Sequence, residues 1–133
     1  MYLLDTNMVS EARRRSPQAV AWLRSVHPDT LYLSAITIGE IVKGVAVLER
    51  RDAPAARNLT RWLEEMRVNY ASRLLPIDDD VATNWGRLIG LRTWPVADAL
   101  IAATAQTHGK ILVTRNVADF AGAGLTIVDP WNL

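Results

Sequence analysis

The stretch VADALIAATAQTHGKILVTRNVADF, residues 96–120, predicts a helix followed by a buried strand. Small apolar residues continue at helical spacing to His108, Gly109 supplies a helix stop, and ILVT (111–114) continues as a short strand. Asp98 stands near the start of this helix and Asp119 follows the strand. Two carboxylates therefore frame an apolar helix–strand unit, so either groups within the fold accommodate these charges, or the carboxylates bind a ligand.

The rest of the chain alternates between helical patterns and short apolar runs in the same way. Further strands are predicted at 2–4, 30–34 and 125–129, a short extended segment at 74–78, and helices at 16–26, 35–50, 53–72 and 79–91. Short β-branched runs between helices are typical of parallel strands covered on both faces. The pattern predicts one domain over residues 1–133, a three-layer α/β/α sandwich with a central parallel sheet.

The composition narrows the possible chemistry. The formal net charge is +1, a near-balance that neither indicates nor excludes a nucleic-acid binder. There is no cysteine, which excludes disulfides, thiolate nucleophiles and cysteine zinc sites and is compatible with the cytoplasm, the location we expect. The N-terminus lacks the features of a signal peptide, and no apolar run reaches the roughly 18 residues of a membrane span.

Four acidic residues are the strongest candidates for a functional site: Asp5, Glu40, Asp98 and Asp119. Asp5 ends the first strand, so Asp5 and Asp119 share one sheet edge if their strands are neighbours, and sites form at that edge in parallel sheets. Glu40 and Asp98 belong to helices that can face the same edge. Each acid also has a purely structural interpretation, as a helix cap, a turn residue or a solvent-facing side chain.

Converging carboxylates require a cation. Like charges held close together raise one another's pKa values unless something neutralises them. With no cysteine and only two histidines, zinc is disfavoured, whereas oxygen ligands suit Mg²⁺ or Mn²⁺. Mg²⁺ held by carboxylates usually keeps water and contacts substrate phosphates. The set therefore predicts phosphoryl chemistry with metal-activated water as the nucleophile.

Three segments, LLDTNMVSE (3–11), GEIVKGV (39–45) and residues 96–120, resemble the PIN-domain ribonucleases, particularly VapC-type and FitB-like toxins of bacterial toxin–antitoxin pairs. Their order and spacing carry the resemblance from Met1 to about Pro130. It implies a metal-dependent RNA-cleaving domain of the α/β/α type, an antitoxin partner and a homodimer. The acidic residues of the family fall on Asp5, Glu40 and Asp98, with a fourth at Asp119.

The resemblance also implies roles for polar neighbours of the acids. The polar helpers of the family fall on Thr6, Thr114 and Asn116, of which Thr114 and Asn116 would orient water or a ligand carboxylate. Many members of the family carry an acid where this chain has Asn116.

Basic and aromatic residues supply weaker candidates. The run ARRRS (12–16) is expected in the loop after the first strand, either as a solvated turn or as a contact for phosphate. Arg115 lies nearer the predicted site and is a second candidate for phosphate contact. Trp94 is the candidate for stacking on a base, whereas His108 is interpreted as a residue at a helix end.

We therefore predict an Mg²⁺-dependent endoribonuclease, with Mn²⁺ as a possible substitute, that is the toxin of a toxin–antitoxin pair. One alternative is a non-catalytic PIN-like module that binds RNA or protein, whose mark would be the loss of a core acid. A second is a DNA or flap-type nuclease, whose members generally carry extra domains and more acids. A haloacid-dehalogenase phosphatase would need an acid two positions after Asp5, where this chain has Asn7.

Overall fold

A five-stranded parallel sheet lies at the centre of the protein, whose computed structural model describes residues 1–133. The strands are β1 (Tyr2–Leu4), β2 (Leu31–Ser34), β3 (Leu74–Leu75), β4 (Ile111–Val113) and β5 (Ile127–Val128). Their spatial order is β3-β2-β1-β4-β5, and every neighbouring pair is parallel. The central position of β1 brings Tyr2 opposite both Leu31 and Ile111.

Helices connect the strands as parallel pairing requires. The α-helices are α1 (Thr6–Arg13), α2 (Pro17–Arg24), α3 (Ala35–Glu49), α4 (Ala53–Asn69), α5 (Asp79–Leu91) and α6 (Val96–His108), and short 3₁₀ helices cover Pro28–Thr30, Ala71–Arg73 and Val117–Phe120. No helix combines the length and the apolar character needed to cross a membrane.

Both faces of the sheet are covered, because successive strand residues point to opposite sides. Leu3 and Leu112 belong to an apolar core formed with α5 and α6. Their chain neighbours Leu4 and Val113 belong to a second core formed with α1, α2, α3 and α4. The predicted three-layer α/β/α sandwich with a central parallel sheet is confirmed.

Small side chains let α6 pack closely in the first of these cores. Its buried positions include Ala99, Ala102, Ala103 and Ala105, all at most 1% exposed. The helix ends where predicted, because Gly109 adopts a left-handed conformation with φ of 61° and donates its N–H to the carbonyl of Ala105. The start of α6 is therefore held firmly relative to the sheet.

The segment after β1 differs most from the prediction, because α1 replaces the expected loop. This helix has eight residues and buries only Met8 and Val9, too few for a visible hydrophobic period. The basic run consequently lies at a helix end: Arg13 is in the last turn, Arg14 is the C-cap and Arg15 has a left-handed φ of 59°.

Other element bounds shift by a few residues. The helix predicted to reach residue 72 ends at Asn69, and a 3₁₀ turn follows it. Ser16 precedes α2 as predicted, but its hydroxyl donates to Glu11 rather than accepting from the helix backbone. The last strand is reduced to Ile127–Val128.

Candidate active site

Asp5 lies at the carboxyl end of the central strand, where two neighbouring elements fix its carboxylate. Thr114, directly after β4, donates its hydroxyl to Oδ2 of Asp5 at 2.8 Å. The N–H of Thr6 donates to Oδ1 at 2.8 Å, so Asp5 also caps the start of α1. The side chain is therefore held in one orientation, and the residue is only 4% exposed.

Burial raises the pKa of Asp5 to about 6. The hydrogen bonds from Thr114 and Thr6 lower it, and the charges of Asp98 and Glu40 raise it further. The electrostatic influence of these two acids means that the three predicted carboxylates share one region. A bound cation would favour the ionised form that burial disfavours.

Glu40 is half-buried, and a chain of hydroxyl groups holds its carboxylate. Thr6 donates to Oε1 of Glu40 at 2.6 Å, and its hydroxyl lies 2.9 Å from that of the fully buried Thr37. Because a hydroxyl carries one proton, Thr37 must donate to Thr6 while Thr6 donates to Glu40. Thr37 was not predicted from the sequence. Its only signal there is that it is a polar residue one helical turn before Glu40.

Asp98 is the third residue of α6, and it does not cap the helix. Pro95 occupies the N-cap position and makes no side-chain capping bond, so the structural interpretation of Asp98 as an N-cap is wrong. Burial raises the pKa of Asp98, the charges of Asp119 and Glu40 raise it further, and Arg92 lowers it. The carboxylate thus faces the acidic region without a hydrogen-bond partner of its own.

One polar pocket of about 320 Å³ collects these side chains. We call it the acidic pocket; it is lined by Asp5, Thr6, Asn7, Ser10, Arg14, Glu40, Asp98 and Asn116. Sequence reasoning missed Asn7 and Ser10, and it considered Arg14 only as part of the basic run 12–16. The three residues lie three and four positions apart and so share one face of α1 and its C-cap. That spacing would have been informative had α1 been predicted.

The two predicted residues after Thr114 are placed differently from each other. Asn116 lines the acidic pocket, and its backbone N–H donates to the Thr114 hydroxyl at 3.0 Å. Asp119 lies in the 3₁₀ helix Val117–Phe120, is exposed and does not line the pocket, although its charge acts on Asp98. The structure therefore brings three of the four predicted acids together and leaves Asp119 beside them.

Arg92, which sequence reasoning missed, fastens the turn that carries Asp119. Its guanidinium donates to the backbone carbonyls of Asp119 at 2.8 Å and Ala121 at 3.1 Å. It also lies over the ring of Trp94, 3.4 Å from the centroid. Trp94 is 8% exposed, so its predicted role in base stacking is contradicted: Arg92 covers the face that a base would need.

The donor set suits a hard cation. Apart from Arg14, the lining offers carboxylate, hydroxyl and amide oxygens, and Oδ1 of Asn7 is buried without a hydrogen-bond partner. No three acidic or histidine side chains are close enough to ligate one ion at once. The residues therefore fit an ion such as Mg²⁺, which is commonly held by one or two carboxylates and keeps several waters.

The parallel α/β/α fold and the acidic pocket at the end of its central strand agree with the protein family that the comparison of sequences identifies. The chain belongs to the PIN domain family, whose model matches residues 2–122.

Among its relatives, the FitB toxin of Neisseria gonorrhoeae is 36% identical over 140 residues, which span 99% of each chain. A VapC ribonuclease of Sinorhizobium fredii, Y4jK, is 36% identical over 147 residues and 98% of each chain. The crystal structure of FitAcB from N. gonorrhoeae matches with a TM-score of 0.89 and 35% identity over the full length of both chains. A toxin–antitoxin complex from Klebsiella pneumoniae matches with a TM-score of 0.74 and 25% identity over both full chains.

Proposed function

We propose that this protein is a metal-dependent endoribonuclease and the toxin of a toxin–antitoxin pair. The observation that carries the proposal is the acidic pocket, to which the residue after β1, α3 and α6 each supply one carboxylate. The raised pKa values of Asp5 and Asp98 support it, because an uncompensated acidic cluster favours a cation. The names of the relatives, a toxin and a ribonuclease, support the same activity.

Asp5, Glu40 and Asp98 would hold Mg²⁺, directly or through water, and Mn²⁺ would substitute for it. Asp119 would contribute through its proximity to Asp98, as a water-mediated ligand or at a second ion. When bound, the cation supplies Lewis-acid chemistry: it activates water and neutralises charge on the phosphodiester.

The remaining polar residues keep the carboxylates in place for this chemistry. Thr114 and the N–H of Thr6 hold the two oxygens of Asp5, and the hydroxyl chain from Thr37 holds Glu40. Asn116 offers an amide at the rim of the same pocket, suited to orienting water or a phosphate oxygen. Fixed ligands spare the reaction the cost of ordering them.

The decisive experiment is cleavage of an end-labelled RNA pool in Mg²⁺, in Mn²⁺ and after exhaustive chelation. We expect cleavage with either ion and none without. Asp98→Asn should abolish cleavage, while Asp80→Asn, which removes an exposed charge from the first turn of α5, should not. Unchanged cleavage after chelation would refute the metal-dependent mechanism, and RNA binding without cleavage under every condition would favour the non-catalytic alternative.

We further propose a cognate antitoxin, a homodimer and action in the cytoplasm, where RNA substrates are accessible. The similarity to a chain from a toxin–antitoxin complex supports the partner. An arginine from that partner would suit the acidic pocket and would displace the cation. Expression alone should arrest growth, and co-expression of the adjacent small gene should relieve the arrest. Light scattering of the purified chain tests the dimer.

A further inference from the structure

A second groove opens directly from the acidic pocket. It has a volume of about 490 Å³, and Thr6, Ser10, Arg14 and Glu40 line both depressions. From Glu40 to Leu48, the groove follows one face of α3 for about 12 Å, as the rise of an α-helix gives. The groove is thus an elongated extension of the pocket.

The charge of this groove is opposite to that of the pocket. Arg13, Arg14, Lys43 and Arg51 line it, and Glu40 is its single acid. An excess of three positive charges therefore lies in one groove of a chain whose net charge is only +1. We call it the basic groove.

Two of the four cations have no partner in the fold. Arg14 pairs with Glu11 at 3.1 Å, and Arg13 lies 5.5 Å from the centroid of the Trp62 ring. Lys43 and Arg51 are exposed and take part in none of the three salt bridges of the protein. Their charge is therefore available to a ligand.

We propose that the basic groove binds the phosphate backbone of the RNA strand that leads into the acidic pocket. Lys43 and Arg51 contact phosphates beyond the scissile one, because both lie outside the acidic pocket that receives the reacting group. Several cations within one groove suit a polyanion that repeats its charge along its length. The inference rests on the proposed ribonuclease function, and it adds the path that the substrate strand follows outside the acidic pocket.

The test is the salt dependence of RNA binding by the full chain. A fluorescein-labelled single-stranded RNA of mixed sequence is titrated in EDTA across a series of NaCl concentrations, with fluorescence anisotropy as the readout. Each phosphate contact on a single strand contributes about 0.7 to the slope of log K against log salt. The double variant Lys43→Gln/Arg51→Gln should therefore reduce the slope by about 1.4.

A matched double variant provides the control. Arg57→Gln/Arg61→Gln removes the same charge from exposed residues of α4 that line a separate depression. This control should leave the slope unchanged, and thermal melts should show both variants folded. In cleavage assays, the groove variant should raise KM and leave kcat within twofold.

The outcomes separate this inference from the proposed function. Equal salt-dependence slopes for the groove variant and the control variant would overturn the groove inference. It would also be overturned if the groove variant lost binding to the antitoxin but kept its RNA binding, because the groove would then be a protein-docking surface. A third outcome is that the salt-dependence slope of RNA binding falls in the groove variant, but the wild type cleaves no RNA in Mg²⁺ or Mn²⁺. The proposed ribonuclease function then fails, and the assignment of the groove to RNA binding stands.

Discussion

Replacement of Asp5 by asparagine should stabilise the metal-free protein at neutral pH. Asparagine has nearly the same shape as aspartate, so the change mainly removes a buried negative charge. In the folded state the pKa of Asp5 is about 6, against an ordinary value of 3.8. A group whose folded pKa is raised in this way costs stability as the pH rises through that interval, because folding opposes its ionisation.

The size of the effect follows from the two pKa values. Complete ionisation of Asp5 costs about 3 kcal/mol of folding free energy, at 1.36 kcal/mol per pH unit. Most of this cost, about 2 kcal/mol, develops between pH 4.5 and pH 7.5. For a chain of this length it corresponds to roughly 7 °C in melting temperature.

The assay is thermal or denaturant unfolding of wild type and Asp5→Asn, in EDTA, at pH 4.5 and pH 7.5. The change with pH is the informative quantity, because any hydrogen bond lost to Thr114 or Thr6 affects both measurements equally. We expect the stability of Asp5→Asn relative to wild type to rise by about 2 kcal/mol between the two pH values. A pH-independent difference would refute the argument that Asp5 is an uncompensated buried carboxylate.

The other predictions concern the neighbours of Asp5. Added Mg²⁺ should raise the melting temperature of wild type but not of Asp98→Asn, because a ligand that binds only the folded state stabilises it; equal shifts would remove Asp98 from the cation site. Asp119→Asn should reduce cleavage less than Asp98→Asn, since Asp119 lies outside the acidic pocket; the reverse order would make Asp119 a principal ligand. Arg92→Ala should speed amide hydrogen exchange in the 3₁₀ helix Val117–Phe120, because it removes the bond to the Asp119 carbonyl. The control variant Arg87→Ala, at an exposed position of α5, should leave that exchange unchanged. Thr37→Val should lower kcat while Thr37→Ser restores it, because only serine keeps the hydroxyl chain to Glu40; equal activities would show that the hydroxyl is dispensable.

The parts of the fold with strong local patterns were predictable from sequence. The unit of α6 and β4 has a run of small apolar residues, a glycine stop and a β-branched strand, and each signal agrees with the others. Asp5 was found because it interrupts the first apolar run at the point where a parallel strand should end. Residue type and strand position together were sufficient there.

Residues that act through contacts left no such pattern. Arg92 is an exposed arginine whose partners are backbone carbonyls 27 and 29 positions away. Because every residue has a backbone carbonyl, no residue type in the sequence marks these partners. Trp94 had the right residue type and a position near Asp98, but its sequence could not indicate that Arg92 covers its ring. Helix α1 was missed because eight residues with two buried side chains carry almost no periodic signal.

The hydrogen bond between Asp5 and Thr114 has a consequence for the protein during its synthesis. These residues are 109 positions apart, so Asp5 and the central strand before it are synthesised well before Thr114. The neighbouring strand β4 and Thr114 follow later, so the Asp5 carboxylate lacks one of its two hydrogen-bond donors until that segment has been made. Joining such distant segments also costs loop-closure entropy before the contact can form. A nascent chain of this protein therefore emerges from the ribosome without a complete acidic pocket, and it acquires one only when β4 and Thr114 are in place.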